Sequence, residues 1–223
     1  MMGEYKVAER FVSINGEGIR AGQLAVFIRF CGCNLKCSYC DTSWANQEDV
    51  AYTMYTKEQL YDYIKQSGVL LVTLTGGEPL LQPSIHSLVE YLSADPLLQI
   101  EIETNGSVPI KEMQELARPP SLTVDYKLPC SGMEARMLRD NFAHLKEKDT
   151  VKFVVASVDD LVVASKVIKA YQLTKRCHVF FSPVFDKIQP RYIVEYMKEN
   201  ELNGVSLQLQ MHKLIWSPQE RGV

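Results

Sequence analysis

A chain of 223 residues with 46% hydrophobic content can bury a full core as one domain, residues 1–223. Its net charge of -3 comes without any Lys/Arg run, which argues against contact with a nucleic-acid backbone and for a small substrate. Residues 1–6 are polar, with no signal-peptide core, and no stretch reaches the roughly twenty apolar residues of a membrane span, so a cytoplasmic protein with no membrane partner is expected.

Short apolar runs rich in branched residues alternate with amphipathic stretches of about ten to fifteen residues. Strands are predicted over 24–30, 70–74, 99–103, 122–126, 151–155, 179–181 and 205–210, and helices over 56–66, 84–92, 110–117, 133–146, 159–171 and 191–199. Thr56 with Gln59 reads as a capping box. Asp159 and Asp160 read as a helix start, with acid near the positive end of the dipole. The tyrosines 52, 55, 61 and 63 read as helix packing and surface. Strands joined by right-handed helical crossovers give an α/β fold, a partial, open TIM-type β/α barrel of parallel strands. In such a barrel the loops after the strand C-termini share one mouth, and the polar and glycine-rich residues of this chain fall there.

After the first predicted strand come Cys33, Cys37 and Cys40, in a C-x3-C-x2-C run within a loop whose Gly32, Asn34 and Ser38 let the backbone wrap. A four-iron cubane needs one ligand per iron, so three thiolates leave one iron open for chemistry. Structural zinc instead asks for a second Cys or His pair at fixed spacing, and none follows. Cys31 is close enough to rival these ligands but reads as strand core after Phe27, Ile28 and Phe30. After the second strand, Gly76 and Gly77 expose backbone to a ligand, and Pro79 holds Glu78 in a rigid cradle. Arg29 stands on an apolar strand, where its charge must find an anion or cost several kcal/mol.

The cysteine run together with Thr75-Gly-Gly-Glu-Pro resembles the radical S-adenosylmethionine superfamily. Nearly end to end, the chain resembles the 7-carboxy-7-deazaguanine synthase family within it, through residues 13–18, 27–30, 40–42, 75–79, 101–106 and 210–213. The resemblance implies a [4Fe-4S] cluster on Cys33, Cys37 and Cys40, with S-adenosylmethionine chelating the open iron and cleaved by one electron to a 5'-deoxyadenosyl radical. It implies Mg2+ on Thr42 and cofactor contacts from Gly77, Glu78, Asp125, Tyr126, Lys127, Ser182, Pro183, Val184 and Phe185. Substrate would meet Ile14, Asn15, Gly16, Arg29, Thr75 and Pro218, with Arg29 on its carboxylate. Glu17, Glu103 and His212 are candidates for polar contacts or proton transfer. The implied reaction takes 6-carboxy-5,6,7,8-tetrahydropterin to 7-carboxy-7-deazaguanine with loss of ammonia, on the route to 7-deazapurines such as queuosine. A reducing partner such as flavodoxin or ferredoxin and a homodimer are the family expectation.

Two departures keep other readings open. Asn15 stands where the family has glutamine, and Asp125-Tyr126-Lys127 replaces a Ser-Pro-Lys turn. A D-x-K strand end also resembles the glycyl-radical activating enzymes, which share the cluster but act on a protein. A non-catalytic zinc or redox-sensing module is the reading from a different class.

Overall fold

The computed structural model describes residues 4–217 and 220–223. In chain order the strands and helices are β1 (Glu4–Ile14), β2 (Leu24–Phe30), β3 (Thr53–Thr56), α1 (Lys57–Ser67), β4 (Leu71–Gly76), α2 (Ile85–Ser93), β5 (Gln99–Thr104), α3 (Lys111–Gln114) and β6 (Ser121–Tyr126). They continue as β7 (Thr150–Val155), α4 (Val158–Tyr171), β8 (His178–Pro183), α5 (Pro190–Glu199), β9 (Val205–Leu207) and the short α6 (His212–Ile215). One sheet runs β3-β1-β2-β4-β5-β6-β7-β8-β9, parallel from β2 to β9 and open at both ends. This is the partial β/α barrel that the sequence pattern predicts.

Strand alternation sorts the side chains into two layers. Ile28, Leu74, Ile102, Val124, Phe153 and Phe181 pack outward against helix residues such as Leu60, Ile64, Leu88, Leu92 and Leu161, and all are buried. The inward set is polar: Arg29, Thr75, Glu103, Asp125 and Lys152 line a cavity at the strands' C-terminal ends. A β/α barrel whose interior carries charges rather than branched aliphatics has made room for ligands.

β1 and β3 are antiparallel additions that the sequence reading leaves out. β1 hides its period because a register shift between Val7 and Glu9 inserts a bulge. Tyr5 and Val7 face the helix layer, whereas Glu9 and Phe11, also at odd positions, line the cavity. Bulges re-aim side chains in this way. β3 takes Tyr55 from the presumed helical tyrosines, and Tyr55 with Tyr63 sandwiches the Arg10 guanidinium at 4.5 and 4.1 Å.

The predicted helix over 133–146 is replaced by two 3-10 turns, Glu134–Arg136 and Arg139–His144. Met137 and Leu138 between them are extended, because the Leu138 amide donates to the Gly106 carbonyl and Asn141 bridges Gly106, Val108 and Ile110. Tertiary bonds to the loop after β5 thus override helix propensity. α3 is likewise shorter than the expected 110–117, and β9 ends at Leu207 rather than at 210. The expected capping box is formed, Thr56 accepting from the Gln59 amide and Gln59 from the Thr56 amide.

Candidate active site

The cavity at the barrel mouth measures about 560 Å³ and is bordered by the cysteine loop, the loops after β4, β5, β6 and β8, Lys152 and Val154 of β7, and residues 220–223. Gly76 and Gly77 set the floor of the cysteine loop. The Gly77 amide donates to the Phe30 carbonyl at 3.0 Å and the Glu78 amide to the Gly32 carbonyl at 2.8 Å. A methyl group at Gly77 would be driven into the Gly32 carbonyl, and one at Gly76, where φ is 124°, into the Phe30 backbone. The two loops can touch only because both side chains are missing.

Glu78 clamps the next loop. Its carboxylate accepts from the Leu80 amide (3.0 Å), the Thr104 hydroxyl (2.8 Å) and the Asn105 amide (2.6 Å). Burial raises this carboxyl despite those bonds. Fully enclosed, the Glu78 side chain, expected to meet the cofactor, stands outside the cavity lining and clamps the loop after β5. The clamp carries Asn105 to the cluster loop, where its amide donates to Cys33 Sγ at 3.5 Å and to Asn34 at 3.0 Å. The Leu35 amide also donates to Cys33 Sγ.

Cys33, Cys37 and Cys40 are half-buried and border the cavity, while Cys31 is buried beside it. Among the described residues no three Cys, His, Asp or Glu side chains converge on one ion. A cubane asks for something else, one thiolate per iron around a bulky body, with N–H donors to sulfur. Cys33 has such donors, so the loop fits the cluster. Burial lifts the Cys33 thiol and pushes Cys37 up to about 11, so ligation must displace protons that the protein alone would retain. Thr42 places its hydroxyl 3.6 Å from Cys40 Sγ on the same wall.

Across the cavity lies a chain of alternating charges. Lys127 meets Asp125 at 2.9 Å, Lys152 meets Asp125 at 3.7 Å, and Lys152 meets Glu17 at 3.0 Å. Glu17 also accepts from Ser182 Oγ at 2.5 Å and Gln210 Nε2 at 3.3 Å. Burial works to raise the Glu17 carboxyl, but Lys152 and these bonds outweigh it and hold it below its ordinary range. Glu17 is therefore a fixed anion, unsuited to giving up a proton. Asp125 Oδ1 is buried without a partner among the described residues, an acceptor left for a ligand donor. Lys152 is absent from the residues picked out by sequence, although a lysine inside the apolar run of β7 carries the same signal as Arg29 in β2.

Ile14, Gly16, Arg29, Thr75, Glu103, Val184, Phe185 and His212 also border the cavity. Thr75 donates to Glu103 at 2.6 Å. His212 leans on Gly16, where a methyl group would sit 2.7 Å from Nδ1; burial lowers its imidazole pKa against the pull of Glu17 and Asp41, so it is neutral at pH 7. Arg29 has its anion within the protein, Glu9, at 2.7 Å.

Four other expected contacts do not border the cavity. Asn15 turns inward, donating to Glu101 at 3.2 Å and accepting from Thr73 at 3.0 Å, because the shorter amide is captured below the floor. Tyr126 faces the helix layer, stacked on Phe142 at 5.7 Å, because strand alternation sends only Asp125 and Lys127 to the mouth. Ser182 is buried on Glu17, and Pro183 is buried at the end of β8. Pro218 lies outside the described residues.

A family model described as the Radical SAM superfamily matches residues 27–127. A 7-carboxy-7-deazaguanine synthase of Clostridium acetobutylicum is 55% identical over 219 residues, covering 98% of this chain and 99% of that protein. One from Chlorobaculum tepidum is 34% identical over 97% and 96% of the two chains. A solved structure, the crystal structure of QueE from Escherichia coli, superposes with a TM-score of 0.74 at 24% identity over 93% and 94% of the chains, a likeness of fold. These relatives set aside the zinc-module and glycyl-radical-activating readings: the chain belongs to the 7-carboxy-7-deazaguanine synthase family of the radical S-adenosylmethionine superfamily.

Proposed function

We propose that this chain, as a single domain, converts 6-carboxy-5,6,7,8-tetrahydropterin to 7-carboxy-7-deazaguanine with loss of ammonia. The observation that carries the reading is one cavity bordered by both the three-cysteine loop and the Arg29 guanidinium, a radical source and a carboxylate receptor facing each other. When bound, the [4Fe-4S] cluster and S-adenosylmethionine supply a one-electron cleavage that leads to hydrogen-atom abstraction from substrate.

The chain's own residues orient and shield. Arg29 receives the carboxylate, and Thr42 offers Mg2+ a hard oxygen beside the cluster loop. The free Asp125 Oδ1 takes a donor from the cofactor, with Lys127, Gly77, Val184 and Phe185 forming its walls. Neutral His212 can accept the ring-carbon proton lost as the new double bond forms and hand it to the amine, which leaves as ammonia. Glu103, ordered by Thr75, faces the same space. Glu17, locked to Lys152, acts as fixed charge and not as an acid. A flavodoxin- or ferredoxin-type donor supplies the electron in the cytoplasm; no helix of the described residues is long and apolar enough to cross a membrane. The working form is proposed to be a homodimer.

Incubating reduced, cluster-reconstituted protein with S-adenosylmethionine, Mg2+ and the carboxylated pterin should give a product with the mass of 7-carboxy-7-deazaguanine. Cofactor cleavage without that product would overturn the substrate assignment.

A further inference from the structure

Arg29 does not hang free in the cavity. It is the cross-strand partner of Glu9, and its Nε–H donates to Glu9 Oε1 at 2.7 Å with the two side chains only 16% and 20% exposed. Among the described residues its terminal nitrogens have no hydrogen-bond partner, and Phe11, stacked on Phe27 at 5.0 Å, lies 5.9 Å beneath the guanidinium. The β1 bulge between Val7 and Glu9 is what brings Glu9 to this face at all.

As a charge, Glu9 opposes the binding of an anion, since it neutralises the cation that would attract it. Its presence in the cavity calls for a geometric reason. An arginine has several rotatable bonds, and a carboxylate is received well only when two N–H groups of the fork point at it together. Gripping Nε–H fixes the fork's plane and leaves the terminal nitrogens turned to the cavity. We propose that Glu9 is a positioning residue for the carboxylate subsite, aiming Arg29 at the carboxylate of the substrate. The proposal rests on the pterin reading given above and deepens it.

The test separates grip from charge. Equilibrium binding of 6-carboxytetrahydropterin and of its 6-carboxamide is measured on cluster-loaded protein with Mg2+ and without S-adenosylmethionine, so that no turnover intervenes. Glu9→Gln keeps an acceptor oxygen and removes the charge; Glu9→Leu and Glu9→Ala remove the acceptor, and circular dichroism checks that each folds. The expected result is a loss of carboxylate affinity on the order of 10- to 100-fold in Glu9→Leu and Glu9→Ala, near-complete rescue in Glu9→Gln, and little change for the carboxamide. Tighter carboxylate binding in all three variants would show Glu9 acting as a charge and overturn the proposal, as would equal losses in all three. Arg29→Ala reads the underlying assignment separately. If it leaves the preference for carboxylate over carboxamide intact, the subsite itself is wrong and the proposal falls with it.

Discussion

Glu101 lies two residues before Glu103 on the inner face of β5, below the cavity floor, and accepts from Asn15 (3.2 Å) and Thr123 (2.8 Å). Burial, then the neighbouring Glu103, pushes its carboxyl from the ordinary 4.5 up to about 7, against Thr123, Arg20 and Asn15. The unfolded chain releases this proton near pH 4.5 and the folded one only near 7, so raising the pH through that window favours unfolding. The contribution amounts to about 3 kcal/mol lost above pH 7. Glu101→Gln, which keeps the shape and cannot ionise, should therefore flatten the pH dependence of stability between 4.5 and 7, read as urea midpoints across that range; an unchanged slope would reject this account. Residue type made some of the site legible. Arg29 stood out because a cation on an apolar strand demands a partner, and the same logic applied to β7 would have found Lys152. Contiguous motif stretches misled: an extended strand turns Tyr126 away from the mouth that Asp125 and Lys127 share, and no spacing rule reveals that Asn15 is drawn down onto Glu101.

At the scale of elements, the site is three loops clipped together by backbone amides and by the Glu78 and Asn105 side chains. The loop after β4 lies on the cysteine loop through the Gly77 and Glu78 amides, and Glu78 in turn holds the loop after β5, whose Asn105 reaches Cys33. Gly77→Ala should break the first clip, because the Gly32 carbonyl occupies the space of the added methyl. The expected outcome is a protein that keeps its far-UV circular dichroism but incorporates several-fold less iron on reconstitution; full iron content would mean that the loops yield without cost. These clips explain which elements were legible. The seven parallel strands carry their own signal, an apolar run read locally, as do α1 and α4 with their N-caps and α5 with a proline in its first turn. The segment over 133–146 has helix-forming residues, but its Leu138 amide is spent on the Gly106 carbonyl and its Asn141 side chain on Gly106 and Val108, partners distant in sequence. β1 lost its alternation at the bulge, the distortion that aims Glu9 into the cavity. The local rule fails where the cavity recruits a residue.

In the whole molecule, the barrel's open side is closed without strand pairing. Among the described residues no ladder joins β9 to β1 or β2. Instead the segment after β9 meets the loop after β1. Gln208 accepts from the Gly18 amide at 2.6 Å and donates to the Gly18 carbonyl at 2.9 Å, while the Met211 amide donates to the Gly16 carbonyl at 3.2 Å. Gln208 thus imitates the paired bonds of a neighbouring strand with one amide side chain, and its own amide remains on the Phe181 carbonyl of β8. The seam frames Glu17, so the loop's carboxylate reaches Lys152, Ser182 and Gln210 only while the seam is shut. With no ladder behind it, the seam is expected to open before the parallel sheet does. Gln208→Leu keeps the size and removes both bonds to Gly18. It should speed hydrogen exchange at the Gly18 and Met211 amides by on the order of 10-fold, matching the net loss of one to two hydrogen bonds, while amides of α1 and α2 keep their protection. Equal acceleration throughout the protein would mean that the seam opens only with global unfolding.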